Sequence, residues 1–87
     1  MEPRWRGAEL KLSKSAYREL FKLDMDMFDV LDILENGYDC ARSKRKEGTY
    51  EVCMRRGNKT YKAVVVESVQ QWDNSRVWLV IHAGVMR

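Results

Sequence analysis

His82 is the only histidine among 87 residues, and Cys40 and Cys53 are the only cysteines. An imidazole with an unperturbed pKa of about 6.5 takes up or releases a proton close to neutral pH. With arginine or lysine to stabilise charge on phosphorus oxygens, it can drive cleavage of RNA at a 2′-hydroxyl, and that chemistry needs no metal ion. The plainer reading of His82 is a histidine satisfied in or beside the core, since no second catalytic group is marked by spacing. Both readings stay open at this point.

Two cysteines and one histidine cannot supply the four ligands of the common structural zinc sites. The series Asp24, Asp26, Asp29, Asp32 and Glu35 does not make a calcium loop. With Asp24 first, the sixth position, where the loop needs glycine, is Asp29. These acids read instead as caps, dipole partners and outward charge on a helix. No metal or cofactor is expected. Phosphate-cradling glycine motifs, a G-x-S-x-G elbow and a helix-turn-helix pair are all missing from the sequence. Cys40 and Cys53 either pair or remain buried thiols, and the absence of any sign of an oxidising compartment favours thiols.

Charge divides unevenly along the chain. Residues 1 to 37 hold six basic and eight acidic side chains, and residues 38 to 87 hold ten basic and five acidic ones, within a net charge of +3. A basic half raises the question of a polyanion, although charge runs commonly do no more than solvate a face.

The elements that must position these residues follow from periodicity. Glu9 to Leu12 alternates as a short edge strand, and Ser13 or Ser15 caps a helix running to about Leu23. Ala16, Tyr17, Leu20 and Phe21 share the inner side of that helix. Asp24 or Asp26 caps a second helix with Met27, Val30, Leu31 and Leu34 inward, and Asn36-Gly37 stops it. Met25, Met27 and Phe28 are expected in the core.

From Tyr38 the period becomes two. Thr49 to Arg55 and Lys59 to Val66 flank Gly57-Asn58, a two-residue turn that pairs Met54 with Tyr61, Val52 with Ala63 and Tyr50 with Val65. Glu47-Gly48 turns back to an outer strand, Tyr38 to Lys46. Asp73-Asn74-Ser75 leads into Val77 to His82, a strand apolar on both faces and therefore central or well covered. The expectation is a single α+β domain over residues 1–87, with residues 1–8 disordered and two N-terminal helices packed on one face of a four- to five-stranded antiparallel sheet.

That pairing gathers Arg42, Lys44, Lys46, Arg55 and Lys62 on the face away from the helices, a basic surface suited to several phosphates of RNA. Lysines on an edge strand also prevent sheets from joining, so edge protection is the competing explanation. Tyr38, Tyr50, Tyr61, Trp72 and Trp78 are either base-stacking platforms or parts of the core and its cover.

With two helices ahead of the main strands, and Asp29-Val30-Leu31-Asp32-Ile33-Leu34-Glu35-Asn36-Gly37 closing the second helix before Tyr38-Asp39-Cys40, the chain resembles the small RelE/BrnT-like toxin superfamily. The likeness spans roughly residues 9 to 83. It implies metal-independent endoribonuclease activity by basic and polar residues on the sheet, with an antitoxin as protein partner. On matching positions it marks Arg42, Arg55 and His82. Ser15-Ala16-Tyr17 stands where those relatives open the helix with histidine or arginine.

The resulting expectation is an RNA-binding, toxin-like domain that acts in the cytoplasm, because no apolar run approaches the roughly 18 residues of a membrane span and the first residues lack a secretory signal. The alternative is a non-catalytic module that docks another protein or forms a homodimer through an edge strand.

Overall fold

A computed structural model of the chain describes residues 3–40 and 47–86. The order is β1 (Arg4–Trp5), β2 (Ala8–Leu12), α1 (Lys14–Lys22), α2 (Met27–Asn36), β3 (Tyr38–Asp39), β4 (Thr49–Arg56), β5 (Lys59–Val69) and β6 (Arg76–Met86). Among the described residues one six-stranded sheet runs β1-β2-β6-β5-β4-β3. The expected fold needs correcting on three counts. The sheet has six strands, it is mixed because β2 pairs parallel with β6, and the helices lie in mid-chain after two strands. Residues 3–8, read as part of a disordered lead-in, include β1 and the start of β2.

A parallel partner explains why β2 is not an edge. Leu10 lies opposite Trp78 and Leu12 opposite Val80, and the two helices and three strands between β2 and β6 form the long connection that parallel pairing requires. The Ser13 amide donates to the Val80 carbonyl at 3.0 Å, and the Ser13 side chain then accepts from Ala16, so the chain passes from strand to helix within one residue.

The β4–β5 hairpin has the expected register. Met54 pairs with Tyr61, Val52 with Ala63 and Tyr50 with Val65, around a Gly57 with φ +62. The core lies between this sheet face and the helices and includes Leu10, Ala16, Leu20, Val30, Ile33, Ala63, Val65, Trp78 and Val80. In α2, Asp26 accepts from Phe28 and Asp29 while the Asp29 side chain accepts from the Asp26 amide, a reciprocal cap.

Three aromatic expectations fail. Tyr17 is 61% exposed, Phe21 77% and Phe28 58%. A nine-residue helix lying on a sheet buries only a narrow stripe, and here Ala16 and Leu20 fill it. Trp5, Tyr50 and Trp78 instead form an edge-to-face cluster, with Arg6 over Trp5 and Tyr50.

Cys40 and Cys53 are disulfide-bonded, with Cα atoms 5.7 Å apart, so the reading as free thiols is overturned. Tyr38 pairs with Cys53 and the Cys40 amide donates to Glu51, which makes the two cysteines diagonal neighbours across β3 and β4. No helix among the described residues is long and apolar enough to cross a membrane.

Candidate functional site

Strict alternation from Trp78 and Val80 would carry His82 into the core. An irregularity in β6 prevents this. Val65 pairs with Val80 but Val64 pairs with His82, leaving Ile81 as the extra residue of a bulge. Ala83 then faces the core and His82 the opposite side of the sheet.

The bulge coincides with the point where, among the described residues, β6 loses its strand neighbour on that side. β2 pairs with β6 only as far as Val80, and α1 covers the edge beyond. Glu19 of α1 meets two groups there. One oxygen accepts the Ala83 amide hydrogen at 3.1 Å, and the other lies 2.8 Å from Nδ1 of His82. The His82 side chain is 43% exposed, so its ring remains open to solvent. In the neutral form of the ring, a carboxylate against Nδ1 favours the tautomer with its hydrogen on that nitrogen and its lone pair on Nε2, an arrangement suited to a general base. Sequence reasoning missed Glu19 because it lies 63 residues away. The available signal was that Glu19 is the sole acid within α1, beside the buried Leu20.

Lys62 pairs with Gly84, one strand and two residues from His82 on the same face, about 8 Å away at ordinary strand spacings. Arg55 shares that face, but it lies two strands and four residue rows from His82, about 16 Å, and its Nε donates to the Gly57 carbonyl. The sheet therefore brings Lys62 to His82 and leaves Arg55 at the hairpin tip. Arg42, Lys44 and Lys46 lie outside the described residues. The face itself is not uniformly basic: buried Val64 and Val77 and half-buried Val66 and Leu79 occupy its centre. Glu51 and the disulfide flank Lys62.

Among the suggested stacking residues, Tyr50 and Trp78 are held in the aromatic cluster and Tyr61 is half-buried with Arg56 above it. Tyr38 and Trp72 are exposed. No group of three or more potential metal ligands occurs among the described residues.

At the hairpin's far end, Arg56 bonds Asp32 and approaches Asp29 at 3.6 Å, tying β4 to α2. Hydrogen bonds from Arg56, and next from Asn36, hold the Asp32 carboxyl below its ordinary pKa. This pair belongs to the scaffold. Comparisons of the chain with known protein families, characterised proteins and solved structures returned no match.

Proposed function

We propose that this domain binds RNA and cleaves it by proton transfer through His82, in the manner that its resemblance to RelE/BrnT-like toxins implies. The observation that supports the reading is the Glu19 carboxylate 2.8 Å from His82 Nδ1, with Lys62 the nearest cation on the same face among the described residues. His82 Nε2 takes the proton of a ribose 2′-hydroxyl. The 2′-oxygen bonds to the adjacent phosphorus, the bond to the 5′-oxygen breaks, and solvent protonates the leaving oxygen. The products are a 2′,3′-cyclic phosphate and a 5′-hydroxyl, and His82 returns its proton to solvent. Lys62 stabilises the charge gathering on the phosphorus oxygens, while Arg55 holds a more distant phosphate.

RNA as substrate implies a cytoplasmic site of action. There the cysteines would be kept as thiols, so the reduced protein is expected to act as well.

The test is binding and cleavage of a short single-stranded RNA, with and without chelator, across several salt concentrations. Binding that weakens steeply with salt, with cyclic-phosphate ends formed in chelator and lost in His82→Ala, supports the reading. Binding without cleavage removes the catalytic part. No binding at low salt removes the whole and leaves the protein-interaction module.

A further inference from the structure

α1 carries two parallel stripes that neither the core nor the His82 pair uses. Around the helix, Ala16 and Leu20 face the sheet, Tyr17 and Phe21 come next, Lys14, Arg18 and Lys22 follow, and Glu19 completes the circuit beside His82. Tyr17 and Phe21 are among the most exposed aromatic side chains in the protein. Lys14, Arg18 and Lys22 are exposed, and their side chains have no hydrogen-bond or ion-pair partner among the described residues.

Residues four apart on a helix rise by about 6 Å, close to the separation of successive phosphates in an extended single strand. Three unneutralised cations at that repeat, with two flat rings at the same repeat along one flank, match what a single-stranded polynucleotide presents: charge on one side, π-faces on the other. Beside the rings, a cleft of about 300 Å³ lined by Leu12, Leu20, Met25 and Met27, and by Asp26 as its one charged group, gives a base a mostly apolar margin.

We infer that a single strand of RNA lies along α1, with its phosphates on Lys14, Arg18 and Lys22 and its bases stacked on Tyr17 and Phe21. This rests on the RNA reading above and adds the strand's path. The order of the stripes sets its orientation. The cations lie between the rings and Glu19, so the sugar-phosphate backbone, not the bases, is the side turned toward His82. A backbone-cleaving site requires that presentation. It also moves the principal contact surface from the sheet, whose centre is apolar, to the helix.

The two stripes have separable signatures. A fluorescent single-stranded RNA, 2′-O-methylated so that it binds without being cut, is titrated against wild type, Tyr17→Ala, Phe21→Ala, and a Lys14→Gln/Arg18→Gln/Lys22→Gln variant at several salt concentrations. Each aromatic substitution should weaken binding by about 5- to 100-fold and leave the salt dependence unchanged. The triple variant should reduce the slope of log affinity against log salt by about 2, from three lost phosphate contacts. All these positions are exposed, and an unchanged denaturation midpoint confirms folding. If wild type binds and the variants bind equally well, the path along α1 is wrong while the RNA reading stands, and the aromatic stripe is left to a protein partner. If wild type does not bind, both are wrong.

Discussion

Glu19 and His82 are 63 residues apart in sequence, yet the Glu19 carboxylate contacts both the His82 ring and the amide of the following residue, Ala83. One side chain thus closes the unpaired edge of β6 and orients the imidazole. Glu19→Ala removes both contacts and leaves a part-buried amide without its acceptor, which should cost about 1 to 2 kcal/mol. Glu19→Gln keeps an oxygen for Ala83 and loses the charge facing His82. Urea denaturation should show the alanine variant clearly less stable than the glutamine variant. Equal losses would mean that the carboxylate's charge, not the edge contact, holds α1 in place.

Asp32 binds its proton more weakly in the folded chain, because Arg56 donates to its carboxylate. A lowered folded pKa gives stability that is fully present above the unfolded value of about 4 and lost as pH falls through the folded one. Asp32→Asn should therefore be less stable than wild type near pH 6. The gap should close as the pH falls through the lowered folded value, as followed by thermal melts over the acid range. A gap of constant size would assign the effect to packing of the side chain.

The residues that could be placed from sequence are those governed by local pattern. Met54 and Tyr61 meet because a two-residue turn and a period of two leave one register. β2 could not be placed, since nothing in Ala8–Leu12 encodes a partner whose pairing begins at Val77. Tyr17 and Phe21 misled because helical spacing shows which residues share a side, not how wide a stripe the sheet can cover. In the candidate site, His82 was visible as a residue type. Its outward position depends on the bulge at Ile81, and its partner on the end of β2's pairing at Val80. Both are tertiary facts, and the one local hint, a single acid in α1 at Glu19, does not say what that acid meets.

The Cys40–Cys53 bond closes a short loop over a sequence separation of 13. Loop-closure entropy for that length is worth about 3 kcal/mol, so reduction with dithiothreitol should lower the urea midpoint accordingly. Cys40→Ala is the better substitution to compare, because Cys53 is fully buried and a change there also disturbs packing. Reduced wild type and Cys40→Ala should agree in stability, and the proposed RNA binding should be the same in both. Loss of RNA binding on reduction would tie the proposed activity to the oxidised form.

Gly37 and Gly57 show glycine required for two different reasons. Gly57, at φ +62, has open space where a side-chain methyl would stand, with nothing within 4 Å, so alanine there meets only the left-handed backbone penalty of about 1 to 2 kcal/mol. Gly37 has an ordinary negative φ, but an added Cβ would lie 2.3 Å from the Cys53 carbonyl oxygen and 2.5 Å from that of Ile33. Both obstacles are backbone, where α2 ends against β4, so relief requires the helix terminus to move off the strand and to loosen the hydrogen bond that the Gly37 amide donates to the Ile33 carbonyl. Gly37→Ala should therefore cost more than Gly57→Ala, by about 2 kcal/mol or more. Chemical denaturation of the two variants checks the order. Equal costs would mean that α2 can slide on the sheet, and that the close approach at Gly37 is not what fixes the helix end.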